Sequence, residues 1–164
     1  MQALPGTRLE VEQIASLFAS AEVFLDEQAS ESNLRESARD AGVLHVAAHA
    51  VIQVNPPMES FLQLSADDHH DGRLMAWEVL ENLNLKAQLV ALSGCATALG
   101  QGAPGEGLRG LTRAFSIAGA RRVTASLWPV YGQCPTEPQP AWWAIFTAFA
   151  PSALTTWLPC ARLS

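Results

Sequence analysis

A chain of 164 residues with net charge −6, 49% apolar and 16% charged residues has the make-up of one folded domain rather than of a disordered segment. Its largest basic cluster is Arg121-Arg122, which gives no footprint for nucleic acid, and no signal-peptide pattern or apolar run of about eighteen residues points to a membrane. The cytoplasm is the simplest compartment, and the odd set Cys95, Cys134 and Cys160, without framework spacing, reads poorly as a disulfide scaffold.

After Pro5-Gly6, apolar residues at Leu9, Val11, Ile14, Leu17 and Phe18 follow helical spacing, with Glu10 and Glu12 near the start where the dipole favours acid. Ala21 to Leu25 reads as a strand. Ser30 or Ser32 then caps a helix carrying Leu34, Ala38 and Ala41, which Gly42 ends. Val43 to His49 is apolar at nearly every position, the pattern of a strand buried on both faces of a parallel sheet. Val51 to Pro57 leaves that sheet as a loop. Phe61 to Leu64 and Arg73 to Met75 flank a polar turn from Ala66 to Gly72, which predicts a hairpin. A short helix follows at Trp77, Val79, Leu80 and Leu83.

Gln88 to Leu92 is a second buried strand, followed by the glycine-rich loop Gly100 to Gly107. The helix from about Glu106 through Leu108, Leu111, Ala114 and Phe115 stops at Gly119, and Arg122 to Trp128 is a third buried strand. Strands alternating with helices predict an α/β fold with a mostly parallel sheet. From about Tyr131 the composition shifts to proline and tryptophan. Trp142, Trp143, Ile145, Phe146 and Phe149 fit one apolar helix that Pro151 and Pro159 bound, forming an exposed apolar patch or a partner-covered segment.

The candidate chemistry is a thiol and an imidazole. Cys95 follows the strand ending at Leu92, and His49 lies 46 residues upstream at the end of another strand-like segment. A thiol attacks a carbonyl as thiolate, so it needs a neighbouring base that later returns the proton. In an open α/β sheet, ligands bind outside the carboxyl ends of the strands, so two strands can deliver both groups to one site. The plain alternative is a cysteine acting as a small buried hydrophobe.

Metal binding is not expected. His45 and His49 match a helical i, i+4 pair, but Val46 replaces the glutamate of H-E-x-x-H, and four residues on a strand span about 13 Å. His45 reads as a core histidine with a satisfied hydrogen bond, and His69 and His70 as solvated turn residues. The Gly100 to Gly107 loop lacks the lysine and Ser/Thr of a phosphate loop, so no nucleotide or other cofactor is expected, and Glu106 favours the helix start as a structural residue.

Ordered blocks along the chain resemble the CHAT domain, a caspase-like family of clan CD cysteine peptidases related to separase. They are Leu4-Pro5-Gly6-Thr7, Leu44 to Ala50, Ser60 to Leu64, Gly72 to Val79, Leu92-Ser93-Gly94-Cys95-Ala96-Thr97, Gly105 to Leu111, Arg113-Ala114-Phe115, Ala118-Gly119-Ala120 and Ala125 to Val130. The His49-to-Cys95 interval also resembles the caspase spacing.

The resemblance covers roughly residues 4 to 130 and implies a caspase-like α/β/α sandwich, N- and C-terminally incomplete. The expected organisation is a domain over residues 1–130, without the family's leading strand, and a divergent tail over 131–164. By the same resemblance His49 is general base and acid, Cys95 is the nucleophile, and peptide bonds are cleaved through a thioester acyl-enzyme. The backbone N–H groups of Ala50 and Cys95 would hold the oxyanion. The substrate would be a protein or peptide, with a helical-repeat (TPR-type) regulatory partner. Ala50 stands where the family usually has glycine, and Gly94 and Ala96 depart from its Ser-Ala-Cys-Glu-Thr pattern. These departures, with the tail, leave two further readings: a catalytically degenerate interaction module, or a fragment whose uncovered sheet edges prevent independent activity.

Overall fold

A computed structural model describes residues 7–93, 106–125 and 154–158 of the chain. Thr7–Ala15 forms α1, with Glu10 in its first turn. Leu17 N–H donates to the Ile14 carbonyl (3.0 Å) and Phe18 N–H to that of Ala15 (3.1 Å), so the helix ends in tight i+3 bonds and is shorter than its apolar spacing predicts. Strand β1 is Ala21–Leu25 and α2 is Glu31–Ser37. Ser30 caps α2, its hydroxyl accepting from Asn33 N–H at 3.4 Å, which decides between the two candidate serines.

Next come β2 (Val43–Val46), β3 (His49–Val51), β4 (Phe61–Gln63), β5 (Arg73–Met75) and α3 (Ala76–Asn82). The described chain closes with β6 (Leu89–Leu92), α4 (Glu106–Ile117), β7 (Val123–Ala125) and β8 (Leu154–Leu158). The expected continuation of the third strand to Trp128 and the apolar helix around Trp142 to Phe149 lie outside the described residues.

Five strands form one parallel sheet in the order β1-β8-β2-β6-β7. All four residues of β2 and all four of β6 are buried, as their unbroken apolar runs require. Alternate residues serve opposite faces. Leu44, Val46, Val90 and Leu92 pack with Leu34 of α2, Val79 of α3, and Leu111 and Phe115 of α4. Val43, Leu89 and Ala91 pack instead with Ile14 and Phe18, at and beyond the end of α1. The layers are therefore helix, sheet and helix, an α/β fold with a mostly parallel sheet. Each fully buried leucine or phenylalanine of this core contributes about 1.5–3 kcal/mol relative to exposure.

Consecutive strands β1 and β2 are not neighbours. Strand β8, from the Pro/Trp-rich tail, lies between them, with Val23 and His45 flanking Thr156 and with Phe24 and Val46 flanking Trp157. Among the described residues, β1 and β7 are the edges of this sheet.

The second sheet is antiparallel, in the order β3-β4-β5. The predicted hairpin is present, with Phe61 opposite Met75 and Gln63 opposite Arg73. Two expectations beside it need correction. The apolar run from Val43 is not one strand to His49: β2 ends at Val46, whose carbonyl accepts from Ser93 N–H at 2.9 Å, and Ala47-Ala48 carries the chain into the other sheet. Val51 is not loop either, because it pairs with Phe61. No glycine or proline marks the break, so apolarity alone joins the two strands.

Ala50, Leu62 and Leu74, one from each strand, are buried in the main core, while their neighbours in sequence face outward. Helix α4 approaches this region closely. A Cβ on Gly110 would lie 2.1 Å from the Pro57 carbonyl oxygen, which explains a glycine within the block Gly105 to Leu111.

Candidate functional site

The parallel register brings the carboxyl ends of the strands into one row: Phe24, Trp157, Val46, Leu92 and Ala125 are successive partners. In sequence, His49 is the third residue after Val46 and Cys95 the third after Leu92. Paired strands lie about 4.8 Å apart, so the segments carrying the two residues depart from adjacent points of the sheet. Cys95, with its backbone N–H and its neighbours Gly94 and Ala96, lies outside the described residues.

His49 opens β3 and is half-buried on the outward face of the small sheet, directly opposite Gln63. Hydrogen-bond parity fixes how this strand points. Leu64 N–H donates to the Gly72 carbonyl at 2.7 Å and Ala76 N–H to that of Ser60 at 2.8 Å, so even-numbered residues of β4 face β5 and odd-numbered ones face β3. His49 and Val51 therefore bond to β4, as Gln53 does beyond the strand: its N–H donates to Ser60 Oγ at 3.0 Å and its carbonyl accepts from that hydroxyl at 3.2 Å. Ala50 and Ile52 have the opposite parity, and their N–H and C=O groups face away from β4.

This also bears on alanine in place of glycine. Asp26 is the one non-glycine residue with positive φ among the described residues. Ala50 is extended, a conformation any L-residue adopts, and its methyl group is buried in the core. Its N–H keeps an outward direction without requiring glycine.

An open cleft of about 860 Å³ lies at the carboxyl end of β1, lined by Leu25, Asp26, Glu27, Gln63, Ser65 and Asp71 among others. Gln63 links it to the row of His49, and its amide donates to the carbonyls of Leu64 (3.0 Å) and Gly72 (3.1 Å). Arg8 at the rim pairs with Asp26 at 2.5 Å.

His45 belongs to the core. It is fully buried between β8 and β6, and its Nε2 lies 3.0 Å from Glu10 Oε1 on α1, the satisfied contact expected of it. His49 begins a strand of the other sheet. Among the described residues no cluster of His, Cys, Asp and Glu is placed to hold a metal ion, and no helix is long and apolar enough to cross a membrane.

His69 is exposed as a turn residue should be, but His70 is not simply solvated. Its Nδ1 lies 3.1 Å from Ser32 Oγ and 3.2 Å from Asp67 Oδ1, while Nε2 is 3.9 Å from Glu31 Oε1. Serine and aspartate meet the same ring nitrogen, so this trio is not a catalytic triad, in which they use opposite nitrogens. It is a clasp. Asp67 accepts from the N–H groups of Ser32 (3.0 Å), His69 (2.9 Å) and His70 (3.0 Å), tying the hairpin turn to the first turn of α2. Burial opposes the charge, but the N–H groups of Ser32 and His69 and the hydroxyls of Ser32 and Ser30 hold the Asp67 carboxyl well below its ordinary pKa. Only the local half was legible in sequence: an aspartate in a turn that accepts from the N–H two residues on.

No curated protein and no solved structure matches the chain. The CHAT domain matches residues 1–137, which span α1 to α4, strands β1 to β7 and both segments that leave the row at Val46 and Leu92, but not β8. By that match the chain belongs to the CHAT domain family, whose fold is caspase-like.

Proposed function

We propose that the chain is a cysteine endopeptidase in which His49 and Cys95 form the catalytic dyad. The observation that carries this reading is the pairing of Val46 with Leu92, from which the two residues are equally displaced in sequence. His49 takes the thiol proton as the sulfur attacks the scissile carbonyl, and the oxyanion is held by the N–H of Ala50 and that of Cys95. Collapse of the tetrahedral intermediate breaks the C–N bond, and His49 returns the proton to the departing amine. Water, deprotonated by His49, then hydrolyses the thioester and regenerates the thiol. The outward parity of the Ala50 N–H supports its part in this scheme. No cofactor is used, the substrate is a protein or peptide, a helical-repeat partner regulates the enzyme, and the reducing cytoplasm keeps the thiol active.

An electrophilic peptide probe tests this reading by mass mapping. Wild type is labelled at Cys95, Cys95→Ala is not, and His49→Ala is labelled about 100- to 10,000-fold more slowly. Labelling that leaves Cys95 untouched in a folded protein overturns it. The second reading is a non-catalytic interaction module, favoured by exposed apolar side chains at Trp77 (43%) and Leu80 (37%) of α3 and Ile117 (56%) of α4. It predicts a folded chain that never labels at Cys95 yet captures a partner, with capture lost on Trp77→Ser.

A further inference from the structure

The two edges of the small sheet are finished differently. On β5, parity turns the N–H groups of Arg73 and Met75 away from β4, and each is covered by a carboxylate. Asp71 Oδ1 accepts from Arg73 N–H at 2.9 Å, and Glu78 Oε2 accepts from Met75 N–H at 3.0 Å. That edge is closed to a further strand, a usual protection against edge pairing. On β3, the corresponding outward donors are Ala50 and Ile52. Among the described residues neither N–H meets an acceptor. Among the described residues, the edge left open is the one that begins with His49.

We infer that the outward edge of β3 is a docking rail for an extended polypeptide, which adds to the small sheet as a fourth strand by bonding to the Ala50 carbonyl and the Ile52 N–H. The inference rests on the peptidase reading for the identity of the peptide, since the Ala50 N–H is then occupied by the oxyanion. The next outward pair lies about 7 Å along the strand and meets the backbone beside the scissile bond. Main-chain hydrogen bonds supply affinity independent of sequence, the mode of strand addition used by several peptide-binding domains. A folded or helical substrate segment has no free backbone groups to offer, so the rail selects unstructured stretches of a target protein.

The test separates backbone pairing from side-chain loss. Proline at an edge position removes an outward N–H without breaking a ladder bond, so Ile52→Pro is compared with Ile52→Ala, which removes the same packing but keeps the N–H. The probe is a randomised pool of capped octapeptides carrying a central Michael acceptor. Labelling of Cys95 falls about tenfold in Ile52→Pro relative to Ile52→Ala, while iodoacetamide reacts equally with both. Should Ile52→Pro fail to fold, pools N-methylated at single backbone positions are used on wild type, and methylation at one or two positions lowers labelling to the same degree.

A non-reactive version of the pool reads binding apart from chemistry, by titration of Cys95→Ala with and without each Ile52 change. Weakening by proline alone supports the rail even where nothing is labelled. Equal binding by the proline and alanine variants, or no peptide binding at all, overturns it. With Cys95 labelling intact, that result leaves the dyad standing.

Discussion

The parallel and antiparallel sheets of this protein divide the labour of fold and site. The parallel sheet is covered on both faces at β2 and β6, its register runs unbroken across five strands, and its buried histidine is matched to a glutamate. The antiparallel sheet buries one face, through Ala50, Leu62 and Leu74, and exposes the other. It carries His49 half-buried on its outward face and holds its turn in place with a polar clasp. A framework buried on both faces tolerates little movement. A one-sided sheet joined to the framework through the buried Ala47-Ala48 can present a side chain and a strand edge to a ligand while its buried face keeps it in position.

The largest effect is expected where the tail enters the framework. Thr156 of β8 is paired on both sides, with Val23 and His45 as register partners. Thr156→Pro removes a ladder N–H and leaves a carbonyl of a neighbouring strand without its donor, a cost of about 3 kcal/mol against a total stability of about 5–15 kcal/mol. Thr156→Val keeps the N–H and serves as control. Urea midpoints check this, and a proline variant as stable as the control would remove β8 from the sheet and leave β2 an edge.

A smaller effect is expected in the antiparallel sheet at Gly72. Its φ is +79°, its carbonyl accepts from Leu64 N–H at 2.7 Å, and an added Cβ would lie 2.6 Å from the Leu64 oxygen. Gly72→Ala therefore costs about 2 kcal/mol from backbone strain and crowding. Amide exchange should quicken in β4 and β5 while β2 and β6 stay protected. Uniform loss of protection in both sheets would show that the two are one cooperative unit.

What the sequence revealed follows the same division. Apolar runs located β2 and β6, because a strand buried on both faces has no polar positions to blur it; the third run, expected to be buried as well, begins as the edge strand β7, whose residues are only half-buried. The ordered blocks identified the family and named His49, Ala50 and Cys95 together. Strand β3 was hidden, since His49-Ala50-Val51 continues an apolar run with no turn residue before it and is too short to show alternation. β8 was hidden for another reason: its partners β1 and β2 are remote in sequence, and prolines at 151 and 159 mark a tail more readily than a central strand. The caps on β5 and the Asp67 clasp join groups that no local pattern connects.

The smallest expected effect tests that clasp. Asp67 as a carboxylate gathers three backbone N–H groups, one of them the Ser32 donor in the first turn of α2 that has no partner within the helix. Asp67→Asn keeps one acceptor oxygen but turns the other into a donor, so either Ser32 N–H on Oδ2 or His69 and His70 N–H on Oδ1 loses its acceptor, and the charge that strengthens these bonds is lost as well; at about pH 7 the variant is less stable than wild type by less than Gly72→Ala. The folded pKa of Asp67 lies below its unfolded value, so the carboxylate's contribution is complete above the ordinary range near 3.8 and is lost as pH falls toward the folded pKa. The gap in urea midpoint between wild type and Asp67→Asn should therefore be widest near neutrality and narrow as pH drops below about 4. A gap that stays constant from about pH 7 to about pH 3 would mean that Asp67 holds the turn by shape alone, and the small sheet would then need no charge to keep His49 in place.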